Sequence, residues 1–347
     1  MKLTRISSDL ASEGRVVRPN QVLWLSWITA TRNKSLARVL GVPLLEMKTK
    51  KRGLARYIFL TYRTVSLIFR SNARVFVVTN PSVVLAAMMV IYGKLSKSII
   101  VCDTHNVSII PDTNYKEILQ PICNFILKNS DFSILTNNNL VSMAEAMGGS
   151  AIAIPDPLPL GFQSVPMMFS GTMVVLCICS WAEDEPIDEI FAAGHYLLAQ
   201  HPDIQIRITG NPQKRGPTPE NLPDNVVLTG FLSDDDFHAE FAKAGAIMDL
   251  TDRDHCLVCG AYEGVAAGRP IIITDSAVNR EVFYKGAVYT KNTGSSIAKS
   301  ISLAKLEQVK LKEGITMLAT EMSNREQFAS SVFFSAVAEV MAKKRNQ

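Results

Sequence analysis

The sequence predicts an α/β protein made of two parallel-sheet domains in tandem. Three observations carry that reading. Short runs of β-branched and aliphatic residues alternate with helical patterns in both halves, the order that builds parallel sheets. A stretch near the middle, "PDPLPLGFQSVP", holds too much proline for a helix or a central strand. The 347 residues suffice for two domains of ordinary size, each with its own core. Placing the boundary in the proline-rich stretch gives domains 1–158 and 159–347, the second ending in a helix that packs back toward the first.

In the first half, "QVLWLSW", "ARVFVVT", "KSIIVCD" and "FSILTN" read as buried strands. "SLARVLG" reads as a helix closed by Gly41, Leu54 to Arg70 as a longer amphipathic helix, and "LVSMAEAMGG" as a helix with a glycine stop. The strongest apolar run, Val75 to Leu95, is broken by "TNPS" and reads as strand, turn and helix rather than a membrane span. The polar strings "ITATRN", "NPS" and "DTHN" read as turns at carboxyl ends of strands, the edge where open α/β sheets bind ligands.

The second half restarts with the strand "TMVVLCICSW" and the acidic helix "EDEPIDEIFAAGHYLLAQ". Strands "DIQIRITG", "NVVLTGF" and "AIMDLT" follow, with the helix "DDDFHAEFAKAG" between the last two. A short helix "GAYEGVAAG", a strand "RPIIITD" and the terminal helix "NREQFASSVFFSAVAEVMAKK" complete the pattern.

Composition narrows the classes. Hydrophobic residues at 47% and charged ones at 20% describe a globular chain and exclude a disordered or low-complexity one. Met1 to Asn20 has scattered charges and no apolar centre, so it does not read as a secretory signal. Six cysteines without such a signal point to a reducing, cytoplasmic setting. Residues 1–165 carry 19 Lys and Arg against 9 Asp and Glu, whereas the remainder carries 17 against 23. The positive half is expected to meet something anionic, a membrane surface or a phosphorylated partner. Nucleic acid fits less well, because the cations do not alternate with aromatics as a stacking platform requires.

The passage richest in chemistry is "RDHCLVCGAYEGVAAGRPIIITD", Arg253 to Asp275. Its "YEGVAAGRPIIITD" resembles the "E-A-x-A-x-G-x-P-V-V" helix and strand of the glycogen synthase-like retaining family. "CSWAEDEP" and "DTHN" are similar to strings in the β-mannosyltransferases that elongate dolichol-linked chitobiose. Together with the order of elements, this likeness to GT-B nucleotide-sugar glycosyltransferases runs from about Gln21 to the C-terminus. The resemblance implies a GT-B fold, two Rossmann-like domains with parallel sheets facing an interdomain cleft. It implies an acceptor domain first and a nucleotide-sugar donor domain second, with Glu263 hydrogen-bonded to the donor ribose. Two departures are visible. The family's other glutamate, eight residues earlier, is here His255, preceded by Asp254. "SWAEDEP" stands where the family has the Arg and Lys that grip the donor pyrophosphate. Whether the anomeric configuration is kept or inverted stays open.

Candidate residues follow. Glu263 lies in a helix of small and apolar residues, where a carboxylate needs a donor, and a vicinal diol offers two hydroxyls. Gly260, Gly264 and Gly268 around it allow close approach of a ligand, although an exposed helix glutamate would look similar. Arg253, Asp254 and His255 stand before that helix. Arg253 suits donor phosphates, or Asp254 caps the helix while its neighbours are solvated. Ser180, Gly210, Asn211, Lys214 (or Arg215), Gly230 and Phe231 are expected to line the donor side, although each also fits an ordinary βα turn. Asp103, His105 and Asn106 follow a strand of the first domain, with His105 as base or hydrogen-bond partner of an acceptor hydroxyl. Lys48, Lys50, Lys51 and Arg52 lead into the aromatic-rich amphipathic helix, a pattern of an interfacial helix or of an ordinary packed one.

No metal site is expected. Cys256 and Cys259 have the spacing of half a zinc site but lack a second pair, and free cysteines act as small buried hydrophobes. Asp234 to Asp236 read as acids at a helix N-terminus. The reading is a metal-independent GT-B hexosyltransferase without a cofactor, acting in polysaccharide or glycoconjugate synthesis. It takes a nucleoside-diphosphate sugar and a glycan or lipid-pyrophosphate-linked acceptor, at the cytoplasmic face of a membrane. The alternatives are a catalytically silent GT-B binding subunit and a nucleotide-sugar epimerase.

Overall fold

A computed structural model describes residues 19–109, 111, 115–162, 171–215 and 222–346. Most of the Met1–Asn20 segment, residues 163–166 of the linker and residues 216–217 beyond Arg215 lie outside the described residues. The chain divides into two units, Met1–Asp156 with Glu326–Gln347, and Pro157–Arg325.

In chain order the first unit runs β1 (Val22–Ser26), α1 (Thr31–Leu40), β2 (Leu44–Glu46), α2 (Gly53–Arg70), β3 (Val75–Asn80) and α3 (Val83–Ser96). It continues with β4 (Ile99–Thr104), α4 (Asn106–Ile109), α5 (Lys116–Asn129), β5 (Phe132–Leu135), α6 (Asn138–Ala146) and β6 (Ala151–Ala153). All six strands are parallel, in the order β2-β1-β3-β4-β5-β6. The central strands β3 and β4 are buried at every residue, as their near-continuous apolar runs require. Alternation along β1 sends Trp24 to one face, against Leu36, Leu40, Phe132, Phe333 and Val337, and Leu25 to the other, against Leu60, Phe76 and Met89.

The second unit runs β7 (Met173–Cys177), α7 (Ile187–Gln200), β8 (Ile204–Thr209), β9 (Val226–Gly230), α8 (Asp234–Lys243) and β10 (Ala246–Asp249). Then come α9 (Cys259–Ala266), β11 (Ile271–Thr274), α10 (Ala277–Val282), β12 (Ala287–Thr290), α11 (Gly294–Leu306) and α12 (Gln308–Arg345), whose residues from Glu326 onward belong to the first unit. The sheet is again six parallel strands, ordered β12-β11-β10-β7-β8-β9. Val175 and Cys177 face one core with Ile190, Ile206 and Ile301, while Leu176 faces the other with Val265, Phe283 and Ile315.

Several elements differ from the sequence expectation. "ITATRN" is not wholly a turn, because Thr31, Arg32 and Asn33 form the first turn of α1. The acidic helix starts only at Ile187, since Glu185 folds back onto the preceding loop and Pro186 takes the N-cap position. The terminal helix is far longer than "NREQFASSVFFSAVAEVMAKK", starting at Gln308. Strands β2, β6 and β12 are short sheet edges whose three or four residues leave too little pattern to read.

Candidate functional site

At the carboxyl edge of the first sheet a buried polar network ties α1 to the strands. Trp24 Nε1 donates to Thr79 Oγ1 (2.9 Å), Thr79 Oγ1 to Asn33 Oδ1 (3.2 Å), and Asn33 Nδ2 to Ser26 Oγ (3.1 Å). That network holds the first turn of α1 over the sheet and brings Arg32, which sequence reasoning missed, to Asp103 at the end of β4. Arg32 Nε donates to Asp103 Oδ1 at 3.0 Å, and its other nitrogens reach Asp156 and the Ile154 carbonyl. Asp103 is fully buried. Burial alone would push its carboxyl up, but the Arg32 charge, with the facing His105 ring, outweighs this and holds it below the ordinary carboxylate value.

His105 is fixed by its backbone, with N–H donating to the Asn80 carbonyl (3.1 Å) and carbonyl accepting from Ser108 N–H (2.9 Å). Its Nε2 stands 3.6 Å from Asp103 Oδ2, beyond hydrogen-bond reach. Asn106 opens α4. Among the described residues, Asn80 Oδ1, Asp103 Oδ2 and His105 Nε2 are buried without a hydrogen-bond partner. Buried polar atoms without partners are uncommon, and three occur together at the ends of β3 and β4. The one sequence signal for Arg32 was a single arginine after the first strand.

In the second unit the loop "SWAEDE" after β7 is organised by Glu185, also missed. Its carboxylate accepts from Ser180 N–H, Ser180 Oγ and Ala182 N–H, each at 2.9 Å, and from the Cys179 thiol at 2.9 Å. Burial, then this bond, push the Cys179 thiol far up. Trp181, at φ 64, adopts the left-handed conformation that a bulky side chain rarely takes. It is held there by Nε1 donating to the Thr209 carbonyl at 2.8 Å. Gly210 opposite packs so close that a Cβ there would meet the Cys179 carbonyl oxygen at 2.1 Å.

Asp184 turns the other way. It accepts from Thr251 Oγ1 at 2.6 Å and pairs with Arg253 at 3.2 Å, so the arginine expected to meet phosphates is held by a carboxylate. Asp254 does not cap α9, as one expectation had it. Four residues separate it from the helix, whose N-cap position is Val258. Asp249 takes that role, its Oδ2 accepting from Gly260 N–H at 2.8 Å. A Cβ on Gly260 would lie 2.6 Å from that oxygen, which is the physical reason for a glycine there. Asp254 is exposed, and His255 is half-buried with φ 57.

Glu263 is in the second turn of α9, half-buried, with Oε2 enclosed and without a hydrogen-bond partner among the described residues. Burial pushes its carboxyl up to about 7. Asp249 is raised well above the carboxylate range, first by burial and then by the charges of Glu263, Glu185 and Asp184, against the Gly260 amide. Three acids therefore bear on Asp249 at the start of α9.

The remaining predicted residues spread along the same edge. Gly210 N–H donates to the Gly230 carbonyl at 3.1 Å, joining the turns after β8 and β9. Asn211 is exposed and closes its own turn by accepting from Gln213 N–H, and Lys214 donates to the Ser180 carbonyl at 2.7 Å. Phe231 is 88% exposed. Asp234 to Asp236 form the first turn of α8 behind the Ser233 cap. Cys102, Cys123, Cys177 and Cys179 are buried, but Cys259 is exposed and Cys256 only half-buried, so packing does not account for that pair. Among the described residues no group of three or more His, Cys, Asp or Glu could hold a metal ion. Lys48, Lys50, Lys51 and Arg52 are all exposed before α2.

No protein-family model and no curated protein matches the chain. Solved structures do. HepE of Anabaena, in complex with UDP and glucose, is similar with a TM-score of 0.69 at 11% identity, over 93% of this chain and 99% of its own. Sucrose-phosphate synthase from Thermosynechococcus elongatus is similar with a TM-score of 0.69 at 12% identity, over 93% and 100%. A candidate UDP-N-acetylglucosamine 2-epimerase of Listeria monocytogenes is similar with a TM-score of 0.60 at 12% identity, over 93% and 97%. At these identities the likeness is one of fold, and the fold is the two-unit α/β GT-B architecture.

Proposed function

We propose that the protein is a metal-independent GT-B glycosyltransferase, acting in polysaccharide or glycoconjugate synthesis. It moves one sugar from a nucleoside-diphosphate sugar to a glycan or lipid-pyrophosphate-linked acceptor at the cytoplasmic face of a membrane. The observation that carries this is Glu263: an enclosed carboxyl oxygen without a partner, on the helix that follows a central strand of the second unit. A ribose offers two hydroxyl donors to such a group. HepE of Anabaena has been solved with UDP-glucose on the same fold, which supports a UDP-sugar as the first donor to try.

In this reading the second unit holds the donor and the first the acceptor. His105 takes the proton of an acceptor hydroxyl, whose oxygen forms the new bond to the sugar's anomeric carbon. The bond from that carbon to the diphosphate oxygen breaks, and the nucleoside diphosphate leaves with the electron pair. Asp103, kept ionised by Arg32, lies 3.6 Å from the imidazole, near enough for its charge to stabilise the imidazolium that forms. Charge on the leaving diphosphate is met by Arg253, Lys214 and the N–H groups of helix starts rather than by a divalent ion. Diphosphate binding then draws Arg253 from Asp184 and Lys214 from the Ser180 carbonyl.

One observation favours a second reading, a GT-B subunit that binds without turnover. His255 stands where the resemblance implies an acid, and carboxyl groups rather than cations, those of Asp184, Glu185 and Asp249, gather at the start of α9. Incubation with UDP-, GDP- and dTDP-sugars and a glycan acceptor, following nucleoside diphosphate release, separates the readings. Acceptor-dependent release supports transfer. Binding without release supports the silent subunit, and interconversion of the sugar without release supports the epimerase that also shares this fold.

A further inference from the structure

The first unit carries a stretch of unusual charge. Between Glu46 and Asp103 there are ten Lys or Arg and not one Asp or Glu. The stretch includes α2 and α3, and these, with α5, cover one face of the sheet. Leu60 and Ile68 of α2, Leu85 and Met89 of α3, and Ile126 of α5 all enter the core that contains Leu25, Phe76 and Ile100. Their outward sides therefore form a single layer.

That layer is apolar where a solvated surface would be polar. On α2, Leu54 is 75% exposed, Ile58 62%, Tyr62 73% and Phe69 81%, at the spacing of one helical stripe. Alongside, α3 exposes Ile91 and Leu95, and Tyr115 and Ile118 are exposed at the start of α5. Cations are interleaved with the aromatic rings: Lys51 Nζ lies 5.6 Å and the Arg63 guanidinium 5.8 Å from the Phe59 ring. Arg56, Arg63 and Arg70 recur every seventh residue, and Lys48, Lys50, Lys51 and Arg52 precede the helix. Among the described residues no helix is long and apolar enough to cross a membrane.

We infer that this α2–α3–α5 face docks on an anionic lipid bilayer. Large apolar side chains seated among cations, without acids in two of the three helices, match both parts of such a surface: acyl chains at the boundary and negative headgroups around them. A partner lacking dense negative charge would leave the cations uncompensated. The inference concerns where the protein resides and stands apart from whether it transfers a sugar.

The test is flotation of the full chain with vesicles of phosphatidylcholine and phosphatidylglycerol, against vesicles of phosphatidylcholine alone, at low and high salt. The protein is expected to float with the anionic vesicles and to be released by salt. Replacing Lys50, Lys51 and Arg52 together by Gln is expected to weaken partitioning on the order of a hundred-fold. The Ile58→Ser and Phe69→Ser pair, exposed and therefore tolerated by the fold, is expected to lower it at least ~10-fold while thermal unfolding and UDP binding stay as in the parent. Absence from anionic vesicles at low salt, or equal flotation of all variants, overturns the inference. A stable dimer dissociated by I58S/F69S also overturns it, assigning the face to a second copy. Vesicle binding with no sugar transfer leaves it standing.

Discussion

Replacing Glu263 by Gln isolates the electrostatics of the candidate donor site without emptying it. A glutamate in an unfolded chain ionises near about 4.3, whereas burial lifts Glu263 to about 7. Between those values the unfolded chain releases its proton first, so stability is greatest below about pH 4, falls as pH rises through this window, and levels off above pH 7. The shift corresponds to roughly 3 to 4 kcal/mol once the group is ionised. Solvent contact at the half-buried side chain lowers this, and about 2 kcal/mol is the expected effect. Gln is neutral at every pH. E263Q should match the parent near pH 4 and exceed it by about that amount at pH 8, read from denaturant midpoints of parent and variant side by side. Asp249, raised in the same direction and partly by Glu263, keeps a reduced slope in the variant. Equal stability of the two proteins across this pH range would refute the reasoning.

Other outcomes follow from the same geometry. Arg32→Met leaves Asp103 buried without its cation and should cost roughly 3 to 5 kcal/mol at neutral pH. The loss should shrink as pH falls into the carboxylate range and Asp103 takes a proton, and chemical denaturation at two pH values checks both points. Glu185→Gln presents an amide NH2 to the donors that Glu185 now accepts, which should cost about 2 kcal/mol or more. Cys179, raised first by burial and then by the Glu185 carboxylate, should then react faster with a thiol reagent at pH 8, because the second of these causes is gone. Transfer activity should survive EDTA, measured as nucleoside diphosphate release with and without the chelator.

The fold was largely legible because its strands are central and buried. Runs such as "ARVFVVT" and "RPIIITD" have no polar face to mislead a reading, and each ends at a turn residue. Edge strands β2, β6 and β12 escaped for the opposite reason, being short and half-exposed. At the site, Glu263 and the Asp103–His105 string could be singled out because a helix pattern or strand end framed them. Arg32, Asp156, Glu185 and Asp249 could not, since each acquires its role from a contact with a distant strand or loop. Glu185 even counted toward a helix it does not join, because an acid before a proline looks like a helix start whether or not loop amides claim it. Asp249 passed as one residue within the strand "AIMDLT", and only the α9 amide beside it shows what it holds.

The central claim, that the second unit takes a nucleoside diphosphate with its ribose on Glu263, is tested most directly by calorimetric titration. UDP and GDP would be compared with analogues lacking both ribose hydroxyls, in the parent and in Glu263→Ala. The account predicts that at least one nucleoside diphosphate binds and that the analogue or E263A weakens it on the order of ten-fold to a hundred-fold, with little further loss when the two are combined. Absence of binding by either nucleotide, or equal affinity for the analogue, would contradict it.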